Sequence, residues 1–201
     1  MTHLEPRADP LGDPVAQVSI WNIANALTVL RLVLVPFFAA ALFREHGHSG
    51  AWRGVACVIF AFASLTDLVD GDLARKRGLI TEFGKLADPI ADKALIGTAL
   101  VGLSMLGDLP WWITVVILVR EVGVTLLRFW VIRHGVIPAS RGGKLKTLVQ
   151  AWAIGLLVLP LSGAWHTAAV VVMALAVLLT VVTGVDYIAR AFSVRRQPRS
   201  G

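Results

Sequence analysis

Residues 67–92 read DLVDGDLARKRGLITEFGKLADPIAD. Apolar runs flank this stretch on both sides, and Asp67, Asp70, Asp88 and Asp92 stand at their boundaries. An ionisable side chain at membrane depth is costly and marks function by default. The spacing also implies a fold. At 3.6 residues per turn, Asp67, Asp70, Gly71 and Ala74 share one face of a helix that ends here. Gly84, Asp88 and Asp92 share one face of the helix that begins here. The intervening turn is short, so the two helices are expected to be antiparallel neighbours with converging carboxylates.

The rest of the chain supports a membrane setting. Its 201 residues are 56% hydrophobic and only 16% charged, against about 25% charged in a typical soluble domain. A bilayer core of ~30 Å needs about 20 helical residues. Six segments qualify: 25–43, 52–75, 84–107, 111–133, 145–164 and 168–190. The expected fold is therefore an all-α integral membrane protein with six transmembrane helices. Residues 15–24, with Val15, Val18, Ile20 and Trp21, could add a short interfacial helix before the first span. Pro160 is expected to kink the fifth helix. Residues 20–192 read as one membrane domain. Residues 1–19 form a polar tail unlike a signal peptide, and 193–201 form a basic tail. Cys57 reads as a small hydrophobe within an apolar run.

The net charge is +6, but the basic residues cluster between apolar runs instead of striping a soluble face. That pattern fits topology and anionic lipid headgroups and argues against nucleic acid. Arg75, Lys76, Arg77 and Lys85 lie on one side. So do Arg133, Arg141, Lys144 and Lys146, and then Arg190, Arg195, Arg196 and Arg199. The opposite turns carry only Arg44 and Arg53. By the positive-inside rule both termini and the quoted stretch face the cytosol. Trp52, Trp111 and Trp112 read as interfacial anchors on the other side.

Four carboxylates cannot share a low-dielectric site without neutralisation. An all-oxygen set with room for water and phosphate suits two divalent cations, Mg²⁺ or Mn²⁺. Such a pair, about 3.5–4 Å apart, clamps a phosphate for in-line displacement. Gly71, Ala74 and Gly84 leave a slot beside the aspartates where a ligand can approach backbone. Arg75 at its mouth can fork onto phosphate oxygens. The combination suggests a substrate with a diphosphate. Helix-end charges would explain one or two of the acids, but not two pairs in register with small residues between them.

The pattern Asp67-x2-Asp70-Gly71-x2-Ala74-Arg75-x8-Gly84-x3-Asp88-x3-Asp92 resembles the signature of the CDP-alcohol phosphotransferase family at every specified position. The resemblance implies a six-helix membrane enzyme, usually a homodimer, that moves a phosphoalcohol group from a CDP-alcohol to an acceptor hydroxyl and releases CMP. Carried over by position, Asp67, Asp70 and Asp88 would be metal ligands. Asp92 would be the general base and border the metal site. Asp67, Gly71, Ala74, Arg75 and Gly84 would border the CDP moiety. None of the five histidines lies in the stretch. With a metal lowering the acceptor hydroxyl's pKa, a carboxylate base suffices.

Further stretches are similar to the phosphatidylglycerophosphate-forming branch of that family. They are Asn25 to Arg31 with Pro36, Leu86 to Lys93, Arg120-Glu121 with Arg128, and Gly143 to Thr147 with Gln150. This likeness implies CDP-diacylglycerol as donor and sn-glycerol 3-phosphate as acceptor, in a bacterial cell membrane. The acceptor's phosphate calls for cations, and Arg120, Arg128, Lys144, Lys146 and Arg190 are the candidates. Glu121 falls on a different side of its helix from Arg120 and need not pair with it. An interhelix ion pair is the structural alternative for both residues. Asn25 and Thr28 share a face, with Arg31 one turn on. They read either as a packed helix start or as a wall of the nucleotide pocket. Three alternatives remain: a phosphatidylinositol-phosphate synthase, a CDP-diacylglycerol-type cardiolipin synthase, or a cation transporter that uses the intramembrane acids.

Overall fold

Side chains at the helix starts set where helices begin. Asn22 caps the first helix, its Oδ1 accepting the Asn25 N–H at 2.9 Å. Thr81 caps the third, its Oγ1 accepting the Gly84 N–H at 3.0 Å. Both satisfy a backbone donor that the helix cannot. The computed structural model describes the backbone of residues 22–77, 81–132 and 141–196. Side chains at 68–77, 82, 85–86, 128–132, 141–144 and 190–196 lie outside the described set. The helices are α1 (Ile23–Phe43), α2 (Gly50–Arg77), α3 (Glu82–Met105), α4 (Trp111–Ile132), α5 (Arg141–Val158) and α6 (Gly163–Arg196), with one 3₁₀ turn at Arg44–Gly47. The described residues contain no strand.

Among the described residues the architecture is all-helical, with six main helices where six segments were expected. Two of them, Ile23–Gly47 and Gly163–Ala189, are long and apolar enough to cross a membrane. The boundaries that differ most from the sequence reading are those of α5 and α6. Helix α5 ends at Val158, and Pro160 lies in the link before Gly163. Pro160 therefore kinks nothing: without an N–H, and with a ring that clashes one turn back, it helps to separate two helices. Helix α6 starts five positions earlier than the expected 168 and continues to Arg196, into the segment expected as a tail. Residues 15–21 of the expected interfacial helix, and the tail 1–19, lie outside the described residues.

Helix α1 packs against α2 and α3, α5 against α6, and α4 against α6. The shared core includes Phe38, Leu42, Phe60, Leu100, Leu103, Ile117, Ile154 and Met173. Phe38 and Phe60 meet with ring centroids 5.7 Å apart. Ala56, Ala63, Ala99, Ala153 and Ala176 are fully buried between helices. The large apolar residues Phe37, Val58, Phe62, Leu65, Val119, Leu126 and Trp152 point outward. Small residues at helix contacts with large apolar ones outside suit a surrounding of lipid, where packing replaces the hydrophobic drive. Cys57 is half-buried beside this core.

Arg53 is more than a charge beside a turn. It is buried, and its guanidinium donates to Val158 O at 2.7 Å and Leu157 O at 2.8 Å and pairs with Asp108 at 2.7 Å. The cation thus satisfies the last carbonyls of α5, where the helix dipole favours positive charge. Arg53→Ala is expected to cost about 2 kcal/mol, the range for hydrogen bonds to a charged group. A lower thermal midpoint in detergent, with the acceptor KM unchanged, is the expected result.

Candidate active site

The site begins on the inner face of α1. Asn25, Thr28 and Arg31, spaced three residues apart, are all buried and turn toward α2 and α3. Arg31, with no side-chain exposure, donates to Asp67 Oδ1 at 2.7 Å. Thr28 bonds both its own helix, at Ala24 O, and Asp88 Oδ1 on α3. Asn25 Oδ1 accepts the Thr81 hydroxyl at 2.9 Å. The α1 face is therefore both packed and functional in placement: two of its side chains hold two of the four aspartates. A buried guanidinium paired with a carboxylate needs this registration, because either partner left alone is costly.

Gly84 is used in the same contact. A Cβ there would lie 2.9 Å from Asn25 Oδ1 and 3.3 Å from Thr81 Oγ1. The space beside its Cα is filled by α1, so at this point the expected slot is occupied by protein. Asp67 keeps 37% side-chain exposure and Asp88 is half-buried. Asp70, Gly71, Ala74 and Arg75 lie outside the described side chains, so the convergence of both carboxylate pairs is not visible. Among the described residues, no group of three or more His, Cys, Asp or Glu side chains is placed to hold a metal.

Asp92 also faces α4 and α5. It lines a cavity of about 120 Å³ between α3, α4 and α5, with Lys93, Ile96, Leu118, Glu121, Val122, Lys146, Thr147 and Gln150. Lys146 and Gln150 are one turn apart on α5 and offer it a polar face, while Asp92 and Ile96, one turn apart on α3, offer it one polar and one apolar residue. Lys146, 4% exposed, bonds Glu121 Oε1. Arg120 reaches the same Oε1 at 3.2 Å, and its Nη2 donates to Thr183 Oγ1 on α6 at 3.0 Å. Arg120 has room there because α6 carries Gly184, where a Cβ would stand 3.1 Å from Arg120 Cγ.

The ion pair given as the structural alternative for Arg120 and Glu121 is thus present, with Lys146 as its partner from α5. Adjacent positions diverge by about 100° on a helix, but two long side chains bend back to a common point when a third group holds it. Lys146 is that group. Of the other acceptor candidates, Arg128, Lys144 and Arg190 have side chains outside the described set. Thr81, Glu121 and Gln150 were missed as site residues. The cap signal three residues before Gly84 pointed to Thr81, and the one-turn spacing from Lys146 pointed to Gln150.

The sequence pattern described as CDP-alcohol phosphatidyltransferase matches residues 21–182, and the chain belongs to that family. Its relatives name particular enzymes. A protein of Mycobacterium tuberculosis (strain H37Rv) named "Probable phosphatidylglycerophosphate synthase" is 67% identical over 180 residues, covering 90% of this chain and 86% of the relative. The CDP-diacylglycerol–glycerol-3-phosphate 3-phosphatidyltransferase of Bacillus subtilis (strain 168) is 34% identical over 184 residues, covering 85% of this chain and 95% of that one. A Haemophilus influenzae protein of the same name is 34% identical over 174 residues, covering 84% and 92%.

Proposed function

We propose that this chain transfers the phosphatidyl group of CDP-diacylglycerol to sn-glycerol 3-phosphate, giving phosphatidylglycerophosphate and CMP. It acts as a six-span homodimer in the bacterial cell membrane, with both termini and the site on the cytosolic side. The observation that carries the reading is the cavity that joins Asp92 to the Lys146–Glu121–Arg120 cluster. It places a carboxylate beside cations suited to a small phosphorylated alcohol. The names of the relatives supply the donor and the acceptor.

In this mechanism Asp92 takes the proton from the acceptor's primary hydroxyl. The oxygen attacks the phosphorus bearing diacylglycerol, an O–P bond forms, and the bond to CMP breaks in line. Lys146 and Arg120 hold the acceptor phosphate, with Arg128, Lys144 and Arg190 as further cations at the mouth. Arg31 and Thr28 orient Asp67 and Asp88. Asp67, Gly71, Ala74 and Arg75 border the CDP moiety, and Gly84 lets Asn25 of α1 pack close behind them, with Thr28 on the same buried face. A pair of divalent cations, Mg²⁺ or Mn²⁺, would be held by Asp67, Asp70, Asp88 and Asp92. The described members of that set offer only carboxylate oxygens, and the exposure of Asp67 leaves it approachable; such a set suits hard cations. When bound, the metals supply charge neutralisation of the diphosphate and polarisation at phosphorus.

The test is a parallel acceptor assay. Detergent-purified protein, CDP-diacylglycerol and Mg²⁺ or Mn²⁺ are combined with glycerol 3-phosphate, inositol phosphate, inositol, serine or phosphatidylglycerol, and lipid products are identified by mass. Phosphatidylglycerophosphate from glycerol 3-phosphate alone is the expected result. Product only with inositol phosphate overturns the acceptor assignment. No CMP from any acceptor, with cation flux in liposomes, would favour the transporter reading.

A further inference from the structure

Gln150 is 3% exposed, and its carbonyl oxygen Oε1 is buried without a hydrogen-bond partner in the protein. A buried acceptor of this kind needs an explanation, because leaving it unmade is costly. Gln150 lines the cavity that also holds Asp92 and Lys146. Its neighbours there do not supply the donor. The Asp92 and Glu121 carboxylates are themselves acceptors when ionised, and none of the donors lining the same space, Lys93, Lys146 and Thr147, bonds Oε1. A donor for Oε1 therefore fits best as part of whatever enters the cavity.

We infer that Gln150 Oε1 accepts a hydrogen bond from the secondary hydroxyl of the acceptor and so selects a vicinal hydroxy-alcohol phosphate. The inference rests on the glycerol 3-phosphate reading. In that acceptor the secondary hydroxyl sits between the primary hydroxyl, which belongs at Asp92, and the phosphate, which belongs at Lys146. Gln150 borders the same cavity as both and follows Lys146 by one turn of α5. Ile96, Leu118 and Val122 make the apolar part of the wall, and Gln150 is the lining residue whose buried acceptor is left without a donor.

The experiment compares two acceptors, sn-glycerol 3-phosphate and 3-hydroxypropyl phosphate. The second keeps the primary hydroxyl and the phosphate but lacks the secondary hydroxyl. The readout is the ratio of their kcat/KM values by CMP release, in the full-length protein and in Gln150→Met, which keeps size and removes the acceptor. The wild-type ratio is expected to favour glycerol 3-phosphate by roughly 10–100-fold, the range for one hydrogen bond to a buried polar group. In Gln150→Met the ratio falls to about one, because the loss is confined to the acceptor that carried the hydroxyl. A wild-type ratio near one, or a ratio that persists in the variant, overturns the inference while leaving the acceptor assignment intact. No product from glycerol 3-phosphate in wild type removes both. If Gln150→Met turns over neither acceptor, Gln150→Glu, which keeps an acceptor oxygen, decides: it must retain the preference, and failure to do so overturns the inference.

Discussion

Asp92→Asn is expected to lower turnover by roughly 10²–10⁴-fold, the range that a positioned general base contributes. CDP-diacylglycerol should still bind. The substitution is nearly isosteric and keeps one acceptor oxygen, so the walls made by Ile96, Leu118 and Val122 are not disturbed. What it removes is the capacity to take a proton from the acceptor hydroxyl. The partners of each aspartate sharpen the expectation. Asp67 and Asp88 are held by Arg31 and Thr28, whereas Asp92 opens into the cavity with Lys146. Loss of turnover should therefore come as a fall in kcat, with binding of the CDP-lipid retained in an equilibrium assay. Activity within a few-fold of wild type would remove Asp92 as the base. Loss of CDP-lipid binding together with turnover would assign it to the donor site instead.

The helical framework was legible because it rests on periodicity and length. Asp67 and Asp70, or Asp88 and Asp92, fall on one face by arithmetic alone, and lipid leaves helices as the economical way to satisfy backbone groups. Helix ends were less legible where they depend on tertiary partners. The end of α5 is stabilised by Arg53 from α2, a residue over 100 positions away, and no local pattern announces it. The site divides in the same way. The acidic signature and the Asn25–Thr28–Arg31 face could be found along one helix at a time. That Arg31 holds Asp67, and that Asn25 fills the space at Gly84, depends on how α1 docks against α2 and α3. Glu121 shows the same dependence. Its helical position turns it away from Arg120, and only the arrival of Lys146 from α5 makes one carboxylate serve both cations.

Glu121→Gln separates the structural from the functional meaning of that cluster, because the two predict opposite signs. In the folded protein the Glu121 carboxylate, 17% exposed, faces Arg120 and Lys146, the latter almost fully buried. Removing its charge leaves two cations without their counter-ion. Breaking a buried pair from one side costs about 3–5 kcal/mol. The remaining exposure and the amide's retained oxygen place this variant near the lower end, so a clear fall in the thermal midpoint in detergent is expected. If the cluster is only a structural clamp, the acceptor KM should stay the same or rise with the damage. If Lys146 and Arg120 receive the acceptor phosphate, they are now free of a competing anion, and the apparent KM for glycerol 3-phosphate should fall although the protein is less stable. The matching variant Lys146→Met removes a cation and should raise that KM by roughly 10-fold or more, the scale of one charge-assisted hydrogen bond. A lower KM in Glu121→Gln and a higher one in Lys146→Met at the same detergent and salt would identify the phosphate subsite. An unchanged KM in both would return the cluster to a purely structural role.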